Sequence, residues 1–423
     1  MWITMTLPIL STSAALAADS NPATELSPAD TECLALIGEF RAHLDDFWQK
    51  LREFTDRDAA LEFNNQHDPG VEYLPKLLEF ERQHVGEDAG FNALDEIVSY
   101  AARSGDTESY RFTARREALK RMRPYEDREL AILLIERLNS GAYDPQVLDY
   151  LRRVGESADA NPTLRAAAQL AYAKKILSLR AMQQQSTVLL QDHKDGMEFD
   201  HPELVDYFRE FLDRLPPAAE LDASVEQAIA MLKALAESGD SYKMPAYRTV
   251  DSTNCLVRID AEKSKSNTTV STKAAGLLFE ERYLRPGQAA PDIELELIDG
   301  GTWTLADQRG RVAVIQFSFT GCGPCAAMYP DLHAMTEELS PRVSILTIMS
   351  DSTPAHALAA KESDKINWQV ACDGSPGAVA TRWAVDSFPT IYVIDRAGKI
   401  AAVDLRGKQL RWKVEQLLAA GDK

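Results

Sequence analysis

Basic residues are in short supply: 46 lysines and arginines stand against 65 aspartates and glutamates in 423 residues, a formal charge of −19. Nucleic acid requires a basic face, so this balance argues against nucleic-acid binding. Cysteine is also scarce. There are five, Cys33, Cys255, Cys322, Cys325 and Cys372, and in an oxidising compartment an odd count leaves at least one thiol free or bonded to another chain. Zinc needs four ligands, and His333 is the only histidine within ten residues of the Cys322/Cys325 pair, so no metal is expected there. No cofactor is expected either. Beyond the N-terminus no segment approaches the roughly 18 consecutive apolar residues of a membrane span, so no integral membrane segment is expected in the mature chain.

What is present begins with MWITMTLPILSTSAALAADS, an apolar run ending in Ala15-Leu16-Ala17, a small-x-small cleavage pattern ahead of a polar stretch. This predicts a signal peptide over residues 1–18 and a soluble, extracytoplasmic (periplasmic or secreted) protein. No Lys or Arg precedes the run, which is atypical for such a signal.

The length implies more than one domain. Over 31–240 apolar residues recur at three and four, as in LAILLIERLNSG and LVDYFREFLDRL, predicting an all-α region of irregular helical hairpins or a bundle. Asp144-Pro145, Asn161-Pro162 and His201-Pro202 each set a proline where a helix starts, where its missing N–H costs nothing. Residues 241–284 turn polar, ending in EKSKSNTTVSTK and a short helix around AAGLLFEERYL, which reads as a linker. From 285 to 423 strands and helices alternate. IELELIDGGTWTL forms a hairpin about Asp299-Gly300-Gly301, VAVIQFSF is a strand covered on both faces, and VSILTIM, WQVAC and TIYVID follow between helices. A compact α/β domain is implied.

The chemistry concentrates in FTGCGPCAAMYP, where Cys322 and Cys325 flank Gly323-Pro324 just after the buried strand. A bridge closing so short a loop removes little unfolded-state entropy, so a purely structural role is disfavoured. With a helix starting just after Cys322, the first sulfur faces unpaired backbone N–H groups, which stabilises a thiolate. Cys322 is therefore expected as the nucleophile and Cys325 as the residue that resolves the mixed disulfide.

This region resembles the thioredoxin superfamily, and within it the secreted TlpA/ResA-type thiol-disulfide oxidoreductases. The resemblance rests on PGQAAPDIELELIDG, the CGPC at Cys322 to Cys325, Pro330, and FPTIYVIDRAGKI, and covers about a third of the chain. It implies a thioredoxin-like (TlpA or AhpC/TSA type) fold and catalysis by Cys322 and Cys325. It further implies a cis-proline at Phe388-Pro389 that binds substrate backbone, protein thiols or disulfides as substrates, and a membrane thiol electron donor. The Gly-Pro spacer, shared with thioredoxin, implies a reductant, since that couple sits at about −270 mV and strong periplasmic oxidants at about −120 mV.

The match is incomplete. Gly321 stands where the family usually has tryptophan, Gln316 where thioredoxins hold a buried aspartate, and Met328 where many TlpA/ResA members carry glutamate. The proton of Cys325 would then pass to water or to another group, with His333, Asp373 and Asp386 as unaligned candidates. Cys372, closing WQVAC, is a candidate auxiliary redox cysteine. A Cys33–Cys255 bridge is open. Two other readings stay in view. One is a peroxiredoxin-like peroxidase, against which Phe319 stands where that class has threonine; the other is a helical docking protein with a vestigial redox domain.

Overall fold

The computed structural model describes residues 26–101, 109–128, 130–138, 143–238, 246–249, 257–260, 269–375, 377–385 and 387–420. The predicted signal peptide, Cys255 and Asp386 lie outside the described residues. The chain divides into two compact units, one of residues 1–175 and 237–271, the other of 176–236 and 272–423.

The first unit is helical. Its helix Pro28–Leu51 opens with a capping box, in which the Ser27 hydroxyl accepts from Asp30 N–H and the Asp30 carboxylate accepts from Ser27 N–H, so that two orphan donors are satisfied at once. Helix Pro145–Glu156 is capped by Asp144 with Pro145 in its first turn. The core is aromatic, with Phe40 stacked on Tyr73 at 5.2 Å and edge-on to Tyr100 at 5.1 Å. Two buried ion pairs offset the cost of desolvation: Asp68 meets Arg111 and the Tyr100 hydroxyl, and Asp144 meets Arg115 at 3.2 Å. Strands Ala246–Thr249 and Val257–Asp260 form an antiparallel pair.

The second unit is built on a five-stranded mixed sheet. Its elements are a hairpin of β1 (Glu294–Glu296) and β2 (Thr302–Thr304), then β3 (Val312–Ser318), α1 (Gly323–Ala326), α2 (Tyr329–Leu339) and β4 (Val343–Met349). These are followed by α3 (Pro354–Ser363), β5 (Gln369–Cys372), α4 (Ala378–Arg382), β6 (Thr390–Ile394), β7 (Ile400–Val403) and α5 (Gly407–Ala420). The strand order is β5-β4-β3-β6-β7. β3 runs parallel to β4, β4 parallel to β5, and β6 antiparallel to both β3 and β7.

All seven residues of β3 and of β4 are buried, as expected of central strands covered on both sides. Alternation along β3 sends Val312 and Val314 into one apolar layer and Ala313, Ile315 and Phe317 into the other. Gln316 and Ser318 therefore share a face with Val312 and Val314. That layer also holds Leu332 and Met335 of α2, Leu410, Val414 and Leu418 of α5, and three residues from the segment ahead of the sheet, Leu189, Met197 and Phe199.

The compositional boundary near 241 and the packing boundary do not coincide: helices Leu204–Arg214 and Ala218–Glu237 group with the sheet unit.

Candidate active site

The site forms where β3 ends. Phe319, Thr320 and Gly321 carry the chain from the strand into α1, and Cys322 is the residue that caps α1. Gly321 has φ +86°, a left-handed backbone that strains any L side chain. This accounts for glycine where the related pattern has tryptophan. The carboxylate of Asp351 accepts the Thr320 N–H with both oxygens, at 3.1 and 3.2 Å, tying this turn to the loop after β4.

Cys322 and Cys325 are joined as a disulfide. The pair is asymmetric: Cys322 is 6% exposed and Cys325 0%. The Cys322 sulfur accepts the Cys325 N–H at 3.3 Å, which uses one of the free donors at the start of the helix. A nucleophile arriving from solvent reaches Cys322 first. Cys325 sits behind it, over Gln316.

The Phe388–Pro389 peptide is cis, and the Pro389 carbonyl accepts from Arg406 at 3.3 Å. The Phe388 ring meets that of Phe319 edge-on at 5.3 Å. Together they wall a cleft of about 500 Å³ whose other lining includes Ser350, Asp351, Ser352 and Thr381. Phe319 is 40% exposed, unusual for so large an apolar side chain beside a reactive group. Next to the site, burial pushes the Tyr329 phenol above its ordinary range, with Asp364 and Asp351 adding to the shift.

The remaining sequence candidates fall into separate places. Cys372 ends β5, half-buried, and its thiol lies 3.5 Å from the Asp351 carbonyl. His333 stands edge-on to Trp368 at 4.9 Å. The Asp373 carboxylate accepts the N–H groups of Val379 and Ala380 at 3.1 and 2.7 Å, so it caps α4. Cys33 is buried in the helical unit, with its sulfur 3.4 Å from the Ala89 carbonyl. Among the described residues, no group of three His, Cys, Asp or Glu could hold a metal ion.

Sequence reading missed Asp351, Thr347 and Trp368. The only available signal was polarity inside apolar strands, as at Thr347 within VSILTIM.

Residues 286–403 match the AhpC/TSA family. The C-terminal third is a thioredoxin-superfamily domain. The chain is similar to thioredoxin-like protein YneN of Bacillus subtilis, 22% identical over 138 residues, which span 32% of this chain and 79% of that protein. It is similar to thiol-disulfide oxidoreductase ResA of Bacillus cereus, 24% identical over 144 residues, 34% of this chain and 82% of that protein. A solved thioredoxin domain of a thiol-disulfide oxidoreductase from Bacteroides vulgatus is 28% identical at a TM-score of 0.30, covering 31% of this chain and 96% of that one. Each of these matches spans about a third of this chain or less. Among the described residues, no helix is long and apolar enough to cross a membrane.

Proposed function

We propose that the protein is an extracytoplasmic thiol-disulfide oxidoreductase that reduces protein disulfides through the Cys322–Cys325 dithiol. The observation that carries this reading is the asymmetric pair: a disulfide whose first sulfur belongs to a residue 6% exposed and whose second lies fully buried behind it. That is the arrangement a two-step exchange requires.

In the first step the Cys322 thiolate attacks one sulfur of a substrate disulfide. The Cys322–substrate bond forms, the substrate S–S bond breaks, and the departing thiolate takes a proton from water. In the second, Cys325 gives its proton to solvent and its thiolate attacks Cys322, closing the internal disulfide and releasing the second substrate thiol. Two electrons pass from the enzyme to the substrate. An external dithiol, by resemblance a membrane thiol carrier, must return them.

Phe319, Phe388 and Pro389 line the place where substrate chain would lie. The aromatic pair offers apolar area at low entropic cost to a segment flanking the substrate cysteine. The Gly-Pro spacer supports the reducing direction, and the N-terminal apolar run with its cleavage pattern supports export.

The test is trapping. Cys325→Ser removes the second step, so substrates should accumulate as mixed disulfides on Cys322, to be identified by mass spectrometry. Recovery of no disulfide-linked protein from the exported fraction, with wild-type Cys322 reactive, would exclude this function.

A further inference from the structure

Three buried polar groups in a line underlie the disulfide. Gln316 on β3 and Thr347 on β4 are register partners across parallel strands, and Trp368 stands just ahead of β5, in the same layer as Val370. Gln316 and Thr347 are completely buried, and Trp368 nearly so.

The direction of hydrogen bonding along this line is determined. An indole N–H donates and cannot accept. Trp368 Nε1 lies 2.9 Å from Thr347 Oγ1, so the hydroxyl accepts there and directs its own proton to Gln316 Oε1, 3.1 Å away. With its oxygen held by Thr347, the Gln316 amide turns its NH₂ toward α1. There Nε2 donates to the Cys325 carbonyl at 3.4 Å and lies 3.9 Å from the Met328 sulfur. Reversing the amide would set its oxygen against the Cys325 carbonyl and leave the Thr347 proton without an acceptor, a costly state in a buried site.

We propose that Gln316, oriented by Trp368 and Thr347, is a positioning residue that holds the Cys325 peptide in place when the disulfide is open. The inference rests on the redox reading of this site and extends it to the poise of the couple.

While the disulfide is closed, the covalent bond already fixes Cys325, so the hydrogen bond forms at little further cost in freedom. After reduction, or in the mixed disulfide on Cys322, only α1 and this amide restrain it, and part of the bond is spent on ordering the Cys325 peptide. The bond is therefore worth more to the closed state than to the open ones, and it raises the effective concentration of the Cys325 thiol at Cys322. A dithiol arranged in this way closes more readily, so the couple is more reducing and substrate leaves faster. For glutathione the balance is dithiol plus glutathione disulfide giving enzyme disulfide plus two glutathione thiols.

The experiment uses the full chain in mixtures of reduced and oxidised glutathione at pH 7, with the disulfide fraction read by alkylation and mass. Gln316→Met keeps approximate volume while removing the amide. It should lower the equilibrium constant for disulfide formation about fivefold, the factor a single neutral hydrogen bond is worth. Closure from the Cys322–glutathione mixed disulfide should slow by a similar factor, with the iodoacetamide rate at Cys322 unchanged. Thr347→Val should do the same, and Thr347→Ser, which keeps the hydroxyl, should return both quantities to within about twofold of wild type.

A folded Gln316→Met with the wild-type equilibrium constant overturns the inference, as does a Thr347→Ser chain no better than Thr347→Val. If wild type fails on protein disulfides yet the fivefold glutathione difference appears, the inference stands and only the substrate reading falls.

Discussion

The carboxylate of Asp200 accepts the backbone N–H of Lys408 at 3.1 Å, across 208 positions of sequence. A residue from the helical part of the chain thus caps α5, the last helix of the sheet unit. The same segment makes further contacts along α5. Glu198 reaches Lys408 Nζ at 3.1 Å, and the buried Asp192 carboxylate receives Lys413 at 3.4 Å and Gln416 at 3.3 Å.

The first prediction follows from that cap. Asp200→Ala should destabilise the sheet unit by about 1 kcal/mol, the usual value of a lost helix cap. A fragment starting at 285 lacks Leu189, Met197 and Phe199 and leaves their apolar partners on α5 uncovered, so it should bind an apolar dye that a 176–423 fragment does not. Equal dye binding by the two fragments would refute the dependence.

The second concerns the reactive sulfur. In the reduced chain Cys322 should alkylate before Cys325, with an apparent pKa below the roughly 8.5 of a free thiol. The measurement is alkylation rate against pH, with the modified residue identified by mass. Faster labelling of Cys325 would reverse the assignment.

The third separates recognition from chemistry. Phe319→Ala and Phe388→Ala remove apolar area from the cleft wall without touching either sulfur. Each should raise KM for a protein disulfide substrate by about three- to tenfold, in keeping with roughly 1 kcal/mol for a truncated aromatic contact, and leave the glutathione equilibrium as it is. A changed equilibrium with unchanged KM would put these rings in the chemistry instead.

The fourth lies in the helical unit. Burial, reinforced by the nearby Arg115 guanidinium, pushes the Lys175 amine down from 10.5 to about 8. Because the folded value lies below the unfolded one, the folded state bears the full penalty below about pH 8, and stability rises with pH between about 8 and 10.5. Lys175→Met should therefore stabilise the protein at pH 7 by about 1–3 kcal/mol and flatten that rise. Denaturant midpoints at pH 7 and pH 10 would decide it, and a destabilised variant at pH 7 would contradict the assignment.

Much of the site could be read without coordinates because its signals are local. CGPC after a buried apolar strand places a cysteine at a helix start whatever surrounds it, and FPTIYVID sets a proline against a core strand. The hairpin at Asp299-Gly300-Gly301 and the strand order of polarity and burial are likewise written in short windows, where turn chemistry and period-two alternation operate. The departure at Gly321 was visible too. Its reason was not, since a positive φ belongs to the folded turn and not to the composition around it.

By itself, the sequence determined the α/β pattern after 285, the helical character before 240, and the closeness of the Cys322 and Cys325 sulfurs, because each depends on neighbours within a turn or a strand. Tertiary structure decided what lies under and around those sulfurs. Gln316, Thr347 and Trp368 come from three separate segments and meet only when β3 and β4 pair in register with β5 alongside. Asp351 reaches Thr320 only because β4 ends beside β3. That Leu189, Met197 and Phe199 pack into the sheet's apolar layer was decided in the same way: the apolar faces around them look like those of any amphipathic helix, and periodicity reports that a face will be buried without naming the surface that buries it.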